Sequence, residues 1–143
     1  MRAELHGVDA KDAPAGSVLE RVFSEAIRLM PPLWLVDRKT TEDVQLRNHV
    51  APAGTNVITS PYVTHRDARF WRNPETFDPD RFLDEHAKDR PKYAYFPFGG
   101  GRMRCIGVGL AQLQMKAIAK HVLGRCRLVP LIGHSFEVEP LLG

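Results

Sequence analysis

The stretch Phe98–Gly107, FGGGRMRCIG, sets three consecutive glycines and two arginines ahead of a lone cysteine, with a fourth glycine after it. Glycine loses more backbone freedom on folding than any other residue, so this density marks backbone that turns sharply or holds something close. Downstream, Ile106, Leu110, Leu113 and Ala117 recur at helical spacing, with Ala111, Met115, Ile118 and Val122 beside them. The pattern predicts a helix over 106–124, and so wide an apolar stripe predicts that it is well buried. Cys105 then stands at the helix's first turn, where free amides favour negative charge. Arg102 and Arg104 add positive charge nearby, and the bare positions 99, 100, 101 and 107 let amides and a flat ligand approach the sulfur. That describes a thiolate acting as nucleophile or metal ligand.

A nucleophile needs a base. The histidines, at 6, 49, 65, 86, 121 and 134, stand at no recognisable spacing from Cys105. A phosphatase-type loop needs an arginine where this chain has Ala111. Zinc needs three or four Cys or His ligands, and no clustered set is present. No Gly-Lys-Ser/Thr follows the glycines, so a P-loop is excluded. A single axial thiolate on a metal whose other ligands come from a cofactor fits, as in haem held by cysteine.

The rest of the chain reads outward from this loop. Ser17 with Glu20 three residues on forms a capping box. Val18, Val22, Phe23, Ala26, Leu29 and Met30 supply an amphipathic period until Pro31-Pro32 stops the helix. LWLVDRKT, VQLRNHV and TNVITS, with a turn at Pro52-Ala53-Gly54, predict two or three strands arranged as hairpins. Residues 61–82 read as loop with short helical turns, 88–98 as an irregular aromatic approach, and the tail after 126 as one or two strands. A short helix is expected within 1–16.

Composition sets limits. The 143 residues suit about one domain, and 43% hydrophobic with 26% charged is ordinary for a globular chain. The net charge of +3 comes without a basic stripe interleaved with aromatics, which argues against nucleic-acid binding. Two cysteines are too few for a disulfide framework and suggest a reducing compartment; Cys126 reads as an ordinary buried thiol. The charged start MRAELHGVDA is no signal peptide. No window reaches the roughly 18 apolar residues of a membrane span, so a soluble, cytoplasmic chain is expected.

Four landmarks, in order, resemble those of the cytochrome P450 haem-thiolate monooxygenases: Glu25-Ala-Ile-Arg28 as E-x-x-R, His65-Arg66 within SPYVTHRD, Pro79-Asp-Arg-Phe82 as the P-E-R-F segment, and Phe98, Gly101, Cys105 and Gly107 in the cysteine loop. The resemblance covers nearly all of residues 1–143 and implies the haem-ligating, C-terminal portion of one mainly α P450 domain with small sheets and a long meander, rather than a complete independent domain. It implies haem b (iron protoporphyrin IX) on the Cys105 thiolate, with Phe98, Gly99, Gly101 and Gly107 around it and Phe98 shielding the sulfur. It implies Arg38 as a haem propionate contact; Trp34 and Arg38 imitate a W-x-x-x-R helix pattern, but the alternation after Pro31-Pro32 predicts a strand there. Glu25, Arg28 and Arg81 are implied to form a buried structural network, and His65 and Arg66 to be structural. Arg102 and Arg104 are candidates for docking a ferredoxin, flavodoxin or reductase as electron donor. The implied reaction inserts one oxygen atom of O2 into a small organic substrate.

Two departures stand out. Met103 occupies the place of the family's usual basic residue two before the cysteine, which puts one propionate contact in question and predicts that Met103→Arg tightens haem retention. The family domain is also roughly three times longer. The only Gly-Thr, Gly54-Thr55, falls in the expected turn, so the family's oxygen-activating acid and threonine are not found, and no residue here is assigned a catalytic role. The alternatives are therefore a haem-binding module without oxygenase activity, or a non-functional remnant or interaction fragment.

Overall fold

A computed structural model of the chain describes residues 16–129 and Gly133; the helix expected within 1–16 and the strands expected in the tail lie outside these residues. Helix α1 spans Val18–Leu29. Ser17 Oγ accepts the Glu20 amide at 3.3 Å, and the Glu20 carboxylate accepts the Gly16 amide at 2.8 Å. The box is therefore closed one residue earlier than the standard pattern, which uses the cap's own amide. The helix ends with the Met30 amide on the Ala26 carbonyl, at the Pro31-Pro32 stop. Its buried residues are Leu19, Glu25 and Arg28, the last two completely so, while Met30 at the end of the predicted apolar stripe is exposed. The charged pair can be buried because every polar atom it carries into the interior finds a partner, as described below.

Four short strands follow: β1 (Val36–Lys39), β2 (Val44–Leu46), β3 (His49–Ala51) and β4 (Asn56–Thr59). β1 pairs antiparallel with β4, Val36 opposite Thr59 and Lys39 opposite Asn56. Nested between them, β2 and β3 form a separate hairpin with Val44 opposite Ala51 and Leu46 opposite His49. VQLRNHV, one of the segments that predict two or three strands, is thus a strand, a tight turn and the start of another. Arg47 takes a φ of 51° to make the reversal, a conformation uncommon outside glycine. Gly54, at φ +86°, turns the chain between β3 and β4.

The meander opens with the single-turn α2 (Pro61–Thr64), capped by Ser60, whose hydroxyl also donates to the Trp34 carbonyl at 2.6 Å. A 3-10 turn covers Pro79–Phe82, and α3 (Asp84–Ala87) follows directly. The meander wraps a small interior in which Trp71 is 1% and Ala94 2% exposed. Trp71, Phe82 and Tyr95 pack around it with centroids 5.0–6.0 Å apart; Tyr95 meets both other rings edge-on, a geometry that aromatic pairs favour.

Helix α4 spans Val108–Arg125 and touches α1 through an ion pair between Lys116 and Glu20. The expectation of a buried helix is overturned: among its described residues none is fully buried, and Leu110 and Ile118 are 61% and 64% exposed. Apolar side chains on several faces need neighbours on several faces, and among the described elements α1 supplies contact on one. Cys126, just past the helix end, is exposed for the same reason, against the expected buried thiol.

Candidate functional site

Glu25 and Arg28 lie one helical turn apart on α1, at 0% exposure each. Arg28 grips the carboxylate through Nε at 2.7 Å and Nη2 at 2.9 Å. Arg81, from the 3-10 turn, donates Nε to Glu25 Oε1 at 3.0 Å, and the Asp78 amide donates to the same oxygen at 2.9 Å. The remaining guanidinium hydrogens go to carbonyls: Arg28 to His65 at 2.6 Å, and Arg81 to Arg72 at 2.8 Å, Thr76 at 3.1 Å and Asn73 at 3.2 Å. One acid and two arginines thereby fasten α1 to the meander at His65, Arg72, Asn73, Thr76 and Asp78. Arg90, absent from the sequence expectations, donates to the Arg81 carbonyl and stacks 4.2 Å over Trp71 and 5.0 Å over Phe82. Burial, with Arg81 nearby, lowers its pKa.

His65 is also fully buried. Its Nδ1 lies 3.2 Å from the Arg28 carbonyl and its Nε2 accepts the Phe96 amide at 2.9 Å. Burial first, then the Arg28 and Arg66 cations, depress its pKa to about 4, partly offset by the Arg28 carbonyl bond. Arg66 stays near the surface, 3.8 Å over the Tyr62 ring and paired with Glu75. Tyr95 donates to the Ser24 carbonyl at 3.0 Å, and burial pushes its pKa up. The spacing of Arg90 and Tyr95 in the aromatic approach gave no periodic signal that could have assigned these partners.

The cysteine loop begins where Phe96 is held. The Gly99 amide donates to the Phe96 carbonyl at 3.0 Å, and the Cys105 amide closes the loop on the Phe98 carbonyl at 3.0 Å. Gly99 and Gly101 take φ of +73° and +65°, the left-handed region that glycine enters at no steric cost. At Gly100 a Cβ would sit 2.9 Å from the Tyr93 ring, so this position is bare for space rather than for backbone freedom. Cys105 precedes α4 by three residues rather than lying in its first turn, and Gly107 caps the helix with its Cα 's absent Cβ position 3.7 Å from the sulfur.

The thiol of Cys105 is exposed, and so are its chain neighbours Arg104 and Ile106 and, two residues before it, Met103 at 70%. An open sulfur flanked by open apolar side chains is the kind of surface a flat, largely apolar macrocycle covers, so these residues fit a haem. Among the described residues no group of three His, Cys, Asp or Glu could hold a bare metal ion. Phe98 meets Cys105 through its carbonyl, while the residue lines a cavity of about 570 Å³ shared with Phe23, Tyr95, Arg104, Met115 and Lys116. Arg102 and Arg104 are exposed beside the loop. Arg38 is exposed on β1, with its guanidinium on the neighbouring Asp37 carbonyl. Among the described residues no helix is long and apolar enough to cross a membrane.

Known proteins resemble the chain along most of its length. It is 41% identical over 129 residues to cyclooctatin synthase of Streptomyces melanosporofaciens, covering 90% of this chain and 28% of that protein. It is 41% identical over 117 residues to probable cytochrome P450 4aa1 of Drosophila melanogaster, covering 82% and 23%. Cyclooctat-9-en-7-ol 5-monooxygenase of Streptomyces melanosporofaciens is 35% identical over 123 residues, covering 86% and 27%. The chain thus spans about a quarter of the length of these relatives. The cytochrome P450 family model matches residues 6–138, and with the relatives it establishes that this chain belongs to the cytochrome P450 family, whose cofactor is haem.

Proposed function

We propose that this chain is the haem-ligating portion of a haem-thiolate monooxygenase, with Cys105 as the axial ligand of haem b. The observation that carries the reading is the exposed Cys105 thiol on a loop closed by its own amide, beside exposed Met103 and Ile106. When bound, the haem supplies the chemistry that inserts one atom of O2 into a small organic substrate. The chain's own residues hold and orient: Gly99 and Gly101 set the turn, the Cys105–Phe98 bond fixes the sulfur's backbone, and the Glu25–Arg28–Arg81 cluster anchors the segment from which the loop departs. Phe98 would shield the sulfur once haem is bound, Arg38 would pair with a haem propionate, and exposed Arg102 and Arg104 would offer charge to an acidic ferredoxin, flavodoxin or reductase. A cytoplasmic setting belongs to the same reading and is supported by two free cysteines.

A second reading, a haem-binding module without oxygenase activity, is favoured by one observation. Thr55, in the Gly-Thr of these residues, sits in the β3–β4 turn with its amide on the Pro52 carbonyl at 3.1 Å, and so supplies no helical threonine within this segment. On either reading the purified chain, loaded with haem, reduced and exposed to carbon monoxide, gives the strongly red-shifted Soret band of thiolate ligation. Absence of that band contradicts both. Substrate oxidation by the loaded chain selects the first.

A further inference from the structure

We propose that His65 is the positioning residue that transmits the place of the buried Glu25–Arg28–Arg81 cluster to the cysteine loop, a role that rests on reading Cys105 as the haem ligand. The Arg28 carbonyl, 3.2 Å from Nδ1, can only accept a hydrogen bond. The Phe96 amide, 2.9 Å from Nε2, can only donate one. The ring must therefore carry its hydrogen on Nδ1 and leave Nε2 bare, which only one neutral tautomer does.

From that ring the bonds continue in both directions. On one side Arg28 donates to the His65 carbonyl at 2.6 Å and holds Glu25 in a two-point grip. On the other, Phe96 accepts the Gly99 amide and Phe98 accepts the Cys105 amide, each at 3.0 Å. A run of hydrogen bonds and short backbone links thus leads from the Glu25 carboxylate to the Cys105 amide by way of one imidazole. The ring cannot shift to accommodate change, because Tyr95 and Phe96 lie 5.2 and 5.4 Å from its centroid and Trp71 closes a third side. The charged and titratable groups that face it are Arg28 from α1, Arg66 from its own segment and Tyr95 from the approach to the loop. Neither cation welcomes an imidazolium, and burial adds to the cost, so the proton stays off until pH falls to about 4. Protonation would set a donor against the Phe96 donor and break the link.

The test is amide hydrogen exchange on the full chain without added haem. His65→Phe keeps a ring and removes both bonds; His65→Gln can accept from Phe96 and donate to Arg28. Loss of the bond to the Phe96 amide predicts about a tenfold or greater rise in exchange over residues 96–105 in His65→Phe, with α1 unchanged, and recovery in His65→Gln. Loop exchange in the wild type, corrected for the intrinsic pH effect, steps up as pH falls through about 4, ahead of α1. Loop exchange unaltered in His65→Phe overturns the proposal. Should that variant not fold, absence of the wild-type pH step overturns it instead. Because exchange is read without haem and the Soret band on the haem-loaded chain, the two readings fail separately: a loop loosened by His65→Phe with no thiolate band in the loaded wild type sinks the ligand assignment, and a normal band with an unmoved loop sinks the link.

Discussion

Glu25 shows how a charge can be buried without being a liability. Its Oε1 accepts from Arg28, Arg81 and the Asp78 amide, and its Oε2 from Arg28. Taking the carboxylate away leaves two buried guanidinium groups without their acid, so Glu25→Ala is expected to destabilise the chain by about 3–5 kcal/mol, measured by urea unfolding. His65 gives the second expectation at this scale. Its folded pKa of about 4 lies below the ordinary value of 6.5, so the unfolded chain binds the proton first as pH falls. The stability it contributes is whole above pH 6.5 and is lost progressively toward pH 4, on the order of 3 kcal/mol in all. In unfolding measurements from pH 7.5 to 4, the gap between wild type and His65→Phe should therefore narrow as pH falls; a gap that widens contradicts the assignment.

At the scale of elements, α1 and α4 are held by different means. α1 is fixed by a cap, a proline stop and the buried cluster. α4 has the Lys116–Glu20 ion pair and a short contact with α1. Ion pairs near the surface stabilise little, typically less than about 1 kcal/mol. Leu110 and Ile118 are mostly exposed, so their joint replacement by glutamine should leave chemical stability within about 0.5 kcal/mol of the wild type. A loss of several kcal/mol would mean that these side chains are packed in solution.

For the molecule as a whole, local signals and non-local ones part company. The Ser17 start and Pro31-Pro32 stop of α1, the turn at Gly54 and the glycine loop at 98–107 were legible because capping, φ restriction and side-chain absence act within a few residues. The landmark motifs were legible enough to point to the family that the comparisons establish. The reversal at Arg47 was not, since an arginine with positive φ lacks the usual Asn-Gly signature. Burial of α4 and Cys126 was misjudged because an apolar period reports what a helix can bury, not what is beside it. His65 could be singled out, but not its two partners, which lie 31 and 37 residues away in sequence. The most direct test of the account is X-ray absorption at the iron edge of the haem-loaded chain. One sulfur should stand in the iron's coordination shell, kept in Cys126→Ser and lost in Cys105→Ser; a sulfur that survives Cys105→Ser, or a wild-type shell without sulfur, contradicts it.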